Sequence, residues 1–173
     1  MFNTNYTVMR TLTFNTALLV TAFTLCNLSC SENTNLSNLS DDWIPLADAE
    51  ITENPDYESL PLVSTKWKLI GFVDEKHEAI KFAEPFEGNT YTLTFEEGGV
   101  LNGVTSTNQA TGTYSLDGNS LEVKSWAMTE INELFDGELY IESLNKVNSY
   151  KISQKGLMLY YGNKKYLLYK PKD

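Results

Sequence analysis

Residues 91–95 read Tyr-Thr-Leu-Thr-Phe, a strict alternation of large apolar side chains with threonines. Successive side chains of a β-strand point to opposite faces of the sheet, so the apolar side chains share one face and the threonines share the other. This alternation is typical of a strand with one buried face. The stretch therefore predicts an antiparallel sheet that packs one face on a core.

The stretches on either side repeat the strand pattern between turn signals. Residues 67–73 are apolar enough for a more buried strand. Residues 114–116 and 121–123 flank the turn at 117–120, where Gly118 and Asn119 accept the positive φ of a tight hairpin. Further short apolar stretches separated by turn residues lie at 150–152, 157–161 and 166–169.

Residues 129–145 break the two-residue period. Their apolar side chains recur at helical spacing, Thr129 is available as an N-cap, and Gly137 divides the segment into two short helices. The predicted fold class is therefore mainly β, with α+β character. We expect an antiparallel meander of about seven to nine strands, partly closed like a barrel, with one interrupted helix crossing it.

Charge divides the chain into regions. The formal net charge is −10, and residues 31–65 contain eight acids but no lysine or arginine. Low hydrophobicity with one sign of charge favours a solvated, extended segment. We predict an acidic tether rich in Asn, Ser and Pro over residues 30–61 and a folded β domain over 62–173. The apolar stretch at 43–46 either docks on the domain or has no role.

The N-terminal residues have the features of a targeting segment. Residues 1–29 contain no acid, one cation at Arg10 and an apolar run at 17–25. The run is short for a membrane span and typical of a signal peptide. Met9 directly precedes Arg10, so we predict that Met9 is the true start. Both cysteines end this segment, which excludes a disulfide framework in the domain.

Residues 27–30 read Asn-Leu-Ser-Cys and resemble the bacterial lipoprotein signal, in which a small residue precedes the cysteine that receives diacylglycerol. Cys30 follows Ser29, whereas Cys26 follows a leucine. The resemblance implies lipidation of Cys30 after cleavage, with simple secretion as the alternative. Ser31-Glu32 resembles the start of lipoproteins of the Bacteroidetes. We therefore expect a lipid-anchored protein of the bacterial outer membrane that faces the periplasm or the cell surface.

Residues 103–114 read Gly-Val-Thr-Ser-Thr-Asn-Gln-Ala-Thr-Gly-Thr-Tyr and resemble the G-x-x-G-C-N-x-x-x-G-x-Y signature of META domains, also called HslJ-like domains. The matching positions are Gly103, Asn108, Gly112 and Tyr114. The resemblance extends over residues 62–171 and implies a β domain of bacterial envelope lipoproteins.

This chain departs from the signature at two positions. Ser106 replaces the second glycine, and Thr107 replaces a cysteine that pairs in many members, so the resemblance is to a cysteine-free branch. A lipocalin-like or other small β-barrel is the alternative. The matching glycines permit bent strands and Asn108 can bond backbone groups of a turn, so we interpret the signature as structural.

The residue types needed for common catalytic sites are scarce. His77, the only histidine, lies in a charged loop, and a hydrolase needs a nucleophile held by such a base. Zinc sites need several Cys or His ligands, and the predicted domain contains one histidine and no cysteine. Glu96 and Glu97 are a pair of carboxylates that a glycosidase could use, but their adjacency on a strand points them apart. We therefore expect no enzyme activity, no cofactor and no metal.

Tyrosines and lysines crowd the C-terminal strands. Tyr160, Tyr161, Tyr166 and Tyr169 lie among the lysines at 164, 165, 170 and 172. Exposed aromatics beside cations can contact a protein or glycan, whereas cross-strand aromatic pairs would stabilise the sheet. With no arginine after residue 10 and no long basic stripe, nucleic acid is not an expected partner.

The sequence therefore predicts a non-enzymatic envelope lipoprotein that is monomeric by default. Its domain would serve binding, interaction or envelope stress. One alternative is a carrier of a small apolar ligand, which requires a hollow barrel that is not filled by its interior side chains. The other is a glycan hydrolase, which requires two carboxylates facing one cleft.

Overall fold

The computed structural model describes residues 39–85 and 88–172. The predicted signal peptide, Cys26 and the predicted lipidation site Cys30 lie outside these residues. In the described part, one ten-stranded antiparallel sheet is accompanied by one α-helix. The strands are β1 (Ile44–Pro45), β2 (Lys66–Asp74), β3 (Ala79–Phe82), β4 (Thr92–Glu96), β5 (Val100–Val104), β6 (Gln109–Asp117), β7 (Ser120–Met128), β8 (Ser149–Ser153), β9 (Gly156–Tyr160) and β10 (Lys165–Pro171); the helix α1 is Gly137–Leu144. No helix among the described residues is long and apolar enough to cross a membrane.

The sheet curls into a partly closed barrel. Strand β2 pairs with β10 on one side and with β4 on the other, so the strands from β2 through β10, β9, β8, β7, β6 and β5 to β4 form a ring. The ring is weakest between β7 and β8, which share one residue pair, Ser120 with Ser149. The predicted fold class is confirmed. Ten strands exceed the predicted number, because a two-residue strand such as β1 has no alternation to detect.

The interior of the ring is filled by packed side chains. Trp67, Leu93, Phe95, Tyr114 and Leu159 belong to one buried cluster, and Tyr114 is the most exposed of them at 9%. The rings of Phe95 and Tyr114 pack edge to face, with their centroids 5.0 Å apart. These are positions that a hollow barrel would need to leave open for a ligand.

Only the second half of the predicted helical segment is helical. Helix α1 begins at Gly137, and residues 129–136 are irregular. Phe135 has a φ of +50°, a left-handed conformation that a continuous α-helix does not contain. The prediction of an interrupted helix over 129–145 is therefore wrong for its first half, where contacts distant in sequence replace the helical hydrogen bonds.

The N-terminal described segment covers the outer face of the sheet. Ile44 pairs with Ile80 of β3, and the Leu46 N–H donates to the Glu78 carbonyl at 2.6 Å. Further along, the Asn54 N–H donates to the Gln154 carbonyl at 2.8 Å. Residues 43–60 belong to the predicted tether, but in the structure they lie against the domain. The apolar stretch at 43–46 is docked.

A glycine on β6 is required by the close approach of β7. A Cβ atom on Gly112 would overlap the carbonyl oxygen of Ser125 and meet the Trp126 indole at 3.0 Å. We expect Gly112→Ala to lower the free energy of unfolding by about 1–3 kcal/mol, measured by urea denaturation, because the strands must move apart. The exposed neighbour Thr111→Ala is the control, and it should change stability by less than about 0.5 kcal/mol. Equal losses in the two variants would contradict this role of Gly112.

Candidate functional site

Asn108 lies at one end of the barrel, where the loop between β5 and β6 meets residues 129–136. Its side chain is buried, with 2% exposure. The amide nitrogen donates to the Ile131 carbonyl at 2.7 Å and to Glu133 Oε1 at 2.5 Å. The amide oxygen accepts from the Thr129 hydroxyl at 2.7 Å and from the Ile131 N–H at 3.0 Å. One side chain thus fixes the path of the segment that follows β7.

Glu133 connects the same segment to the loop between β5 and β6, which we call the signature loop. It accepts hydrogen bonds from the Thr105 hydroxyl at 2.6 Å, from the Ser106 N–H at 3.2 Å and from the Ser106 hydroxyl. Partial burial pushes the pKa of Glu133 up, but the hydrogen bonds from Ser106, Thr105 and Asn108 outweigh burial and hold the pKa below its ordinary value. The carboxylate therefore stabilises the loop in its ionised form.

The segment that this network holds presents apolar side chains to solvent. Ile131, Leu134 and Phe135 are 59%, 55% and 71% exposed, and Leu139 on α1 is 36% exposed. We call these four residues the apolar loop. The Leu134 N–H is fixed by the Ser106 hydroxyl at 3.0 Å. Contiguous exposed apolar surface is typical of interaction sites, and these four residues lie within nine positions of the chain.

A buried lysine connects the start of α1 to the N-terminal segment. Lys81 forms ion pairs with Asp42 and, at 3.2 Å, with Asp136. Burial lowers the pKa of Lys81, but the two carboxylates outweigh burial and raise it. Asp136 also accepts from the Glu84 N–H at 2.8 Å, and the Tyr91 hydroxyl donates to the Glu84 carbonyl at 2.5 Å. Burial first, and then the charge of Asp136, raise the pKa of Tyr91 to about 12.

His77 is held in a turn by Asp74. The buried Asp74 carboxylate accepts from His77 Nδ1 at 2.9 Å, from the N–H groups of Lys76 and His77, and from Lys165 Nζ at 3.3 Å. The side chain of His77 is 23% exposed, so it is less solvated than a charged loop suggests. Within the described chain, His77 has hydrogen bonds only to Asp74, and no group of three or more His, Cys, Asp or Glu side chains is placed to hold a metal ion.

The other signature residues are Gly103, Gly112 and Tyr114, and the two glycines allow close packing around Trp126. A Cβ atom on Gly103 would lie 2.6 Å from the Thr92 carbonyl oxygen and 3.1 Å from Trp126 Cη2. Tyr114 packs in the core, and its hydroxyl donates to the Glu96 carbonyl at 2.9 Å. Gly103 therefore permits the close approach of neighbouring strands, and Asn108 and Tyr114 make hydrogen bonds within the domain. Glu96 is half-buried at the end of β4, and Glu97 is exposed in the turn after it.

Of the two alternatives for the C-terminal tyrosines, a contact surface does not fit two of them, and one cross-strand aromatic pair is present. Tyr166 is 3% exposed and Tyr169 is fully buried, with its hydroxyl 3.3 Å from that of Tyr140. Tyr160 packs on Tyr166 across the β9–β10 pair at a ring separation of 5.3 Å. Tyr161 is half-buried. The reason is that β10 is covered on both faces, by the core and by the N-terminal segment.

This chain is similar to a known protein family and to solved structures. The sequence model of the META domain matches residues 60–173. A protein from Burkholderia xenovorans, solved by NMR, superposes with a TM-score of 0.53 at 20% identity, over 72% of this chain and 92% of that chain. A crystal structure of a DUF4847 family protein from Bacteroides vulgatus is similar over 65% of this chain and 96% of that chain, at 17% identity and a TM-score of 0.47. Among curated proteins, none matches this chain.

The lowered pKa of Glu133 makes part of the stability depend on pH. A carboxyl group whose pKa falls on folding adds stability above its unfolded pKa, here 4.5, and loses it as the pH falls through the folded value. We expect Glu133→Gln to lower the free energy of unfolding by about 1–3 kcal/mol at pH 7. The difference from the parent should shrink as the pH falls below 4.5.

Denaturant unfolding at several pH values measures this difference. The exposed Glu130→Gln in the same segment is the matched control, and it should change stability little at any pH. A loss in Glu133→Gln that stays constant down to acidic pH would show that the charge of Glu133 does not stabilise the loop.

Proposed function

This chain belongs to the META domain family, and we propose that it is a non-enzymatic lipoprotein of the bacterial cell envelope that binds another envelope protein through its apolar loop. The observation that carries the proposal is the exposure of Ile131, Leu134 and Phe135 on a backbone fixed by hydrogen bonds to the side chains of Asn108 and Ser106. A loop ordered before binding loses less conformational entropy when a partner docks.

The charges around the apolar loop indicate the chemistry of its partner. Glu130 and Glu138 are exposed beside it, and residues 129–145 contain no lysine or arginine. An acidic rim is complementary to a segment that carries lysine or arginine around apolar side chains. The same rim disfavours an anionic membrane surface, which attracts basic segments instead. We therefore assign the apolar loop to a protein partner with a basic, apolar segment.

The polar clusters of the domain support a role without catalysis. Asn108 and Glu133 direct their hydrogen bonds to the chain itself, and Asp74 holds His77 within a turn. A glycosidase would need two carboxylates across a cleft. A groove of about 590 Å³ on the outer face of β4 to β7 has no Asp or Glu among its described lining residues. The packed interior around Trp67, Leu93 and Leu159 likewise argues against a carrier of an apolar ligand.

Anchoring at Cys30 completes the proposal. A lipid on Cys30 and the acidic segment that follows it would hold the domain near the membrane while leaving the apolar loop free for a partner. The family resemblance and the lipoprotein-like signal support a place in the outer membrane, and a role in envelope stress is compatible with such binding.

Photo-crosslinking in living cells tests the role of the apolar loop. A crosslinking amino acid at position 135 should capture a protein segment rich in lysine or arginine beside apolar residues, identified by mass spectrometry. We expect Leu134→Ser with Phe135→Ser to abolish binding of that partner. Because charge complementarity contributes, Glu130→Lys with Glu138→Lys should weaken binding about tenfold.

The chain contains a matched control for surface hydrophobicity. Val100 and Leu116 are also exposed, at 39% and 43%, but lie outside the apolar loop. Val100→Ser with Leu116→Ser should leave the captured partner unchanged. If this control abolishes capture equally, if the crosslinks go to lipid or to a second copy of this chain, or if the partner segment is acidic, the assignment of the apolar loop is wrong.

Membrane fractionation tests the anchor. Cys30→Ser should release the protein from membranes, because the lipid-bearing thiol is lost, whereas Cys26→Ser should leave it bound. Metabolic labelling with a fatty acid should follow the same pattern. Continued anchoring of Cys30→Ser would move the lipid to Cys26 or indicate an uncleaved N-terminal helix.

A further inference from the structure

A second surface lies on the outer face of β4, β5, β6 and β7, opposite the core. The strand register aligns Thr94 with Asn102, Asn102 with Thr111 and Thr111 with Ala127, so these side chains form a row across the sheet. They lie in a groove of about 590 Å³, which we call the polar groove. It is lined by Lys66, Thr92, Thr94, Asn102, Gly103, Val104, Gln109, Ala110, Thr111, Ala127, Met128 and Thr129. Its volume lies within the usual range of small-molecule sites, roughly 300–1,000 Å³.

The lining of the polar groove is rich in neutral groups that donate and accept hydrogen bonds. Four threonines, Asn102 and Gln109 contribute to it. Two of the threonine hydroxyls already donate within the domain, from Thr111 to Asn102 Oδ1 at 2.9 Å and from Thr129 to Asn108 Oδ1 at 2.7 Å, and keep only their accepting lone pairs for a ligand. Among the residues that the structure describes, the lining contains no Asp or Glu, although the net charge of the chain is −10. Hydroxyls and amides satisfy ligand groups that both donate and accept, such as the hydroxyls of a sugar.

Lysines gather at the β2 end of the polar groove. Lys66 Nζ and Lys172 Nζ both donate to Asn89 Oδ1, at 3.4 and 3.1 Å. Lys68 Nζ, two residues along the same face of β2, donates to the Thr90 carbonyl at 2.6 Å. None of these three lysines has a carboxylate within 4.0 Å in the described part of the chain. Burial, and then the charge of Lys172, lower the pKa of Lys68 to about 8.

Like charges that are held together repel one another, and an anion would relieve that repulsion. The three ammonium groups therefore favour a negatively charged group at one end of the polar groove, while the remaining lining favours a neutral, hydroxyl-rich body. A saccharide offers several hydroxyls on one compact ring, each of which donates and accepts, whereas an acidic peptide offers one backbone N–H and one C=O for each residue.

We propose that the polar groove binds an anionic saccharide, with its phosphate or carboxylate at Lys66, Lys68 and Lys172 and its hydroxyls along the threonines, Asn102 and Gln109. This site is separate from the apolar loop and does not depend on the protein partner proposed above. Its ligand is a free oligosaccharide or the headgroup of a glycolipid, which share this chemistry.

Calorimetric titration of the full chain in detergent tests the ligand class. The probes are a galacturonic acid trimer, neutral maltotriose, inorganic phosphate and an octa-aspartate peptide. We expect the acidic trimer to bind at least about tenfold more tightly than the other three, because only the trimer engages both the lysines and the groove. Its affinity should fall with added salt. Vesicles with and without lipopolysaccharide, compared with the free core oligosaccharide, distinguish a headgroup from a free saccharide.

Two variants separate the parts of the site. Lys66→Gln with Lys172→Gln should weaken binding of the trimer about tenfold or more, whereas the exposed lysines of Lys76→Gln with Lys151→Gln provide a charge-matched control without effect. Ala127→Trp should fill the polar groove and block the trimer, whereas Leu116→Trp adds the same ring at an exposed position on β6 outside it. Thermal unfolding confirms that each variant is folded.

The proposal is overturned if both lysine variants bind the trimer equally, or if Ala127→Trp binds it as tightly as the parent. Octa-aspartate binding that matches the trimer would show a general anion site. None of these results bears on the apolar loop, because the crosslinking variants at 134 and 135 lie outside the groove lining. Failure of that loop to capture a partner would equally leave the saccharide result intact.

Discussion

The buried amide of Asn108 is the interaction on which the exposed end of the domain depends. Its nitrogen and oxygen bond the carbonyl and the N–H of Ile131, so they replace the hydrogen bonds that a helix or a strand would supply. Loss of these partners would leave the buried Asn108 amide without hydrogen bonds, which costs about 1–3 kcal/mol for each unsatisfied buried group. This constraint keeps an apolar segment in solvent, where hydrophobic burial alone would draw it inward.

The strands could be predicted from the sequence because their signal is local. The alternation at 91–95 needs only neighbouring residues, and the structure places Leu93 and Phe95 in the core as that alternation requires. The segment at 129–136 also carries a local signal, but for the wrong element. The Thr129 hydroxyl that would cap a helix bonds Asn108 instead, 21 residues away in sequence. The spacing of Thr129 and Asn108 in the sequence gives no sign that their side chains form a hydrogen bond.

The tyrosines show a second limit of sequence patterns. Alternation states that Tyr160 and Tyr161 point to opposite faces, but not whether either face is covered. The outer face of β10 is covered because Ile44 and Leu46 pack there, from a segment whose acidic composition favours solvation. A few apolar residues are enough to dock that segment although its average composition is acidic and polar. The burial of Tyr166 therefore depends on a contact between distant parts of the chain.

The strand pairing places positive and negative side chains on different surfaces of the domain. Lys66 and Lys68 share one face because they are two residues apart on β2, and the antiparallel register sets Lys170 of β10 opposite Lys68. The exposed acids Glu130 and Glu138 instead flank the apolar loop. A strongly negative protein thus keeps one basic surface and one acidic, apolar surface. Surfaces of opposite charge repel each other's ligands, so the proposed saccharide and the proposed basic protein segment would not compete for one surface of this small domain.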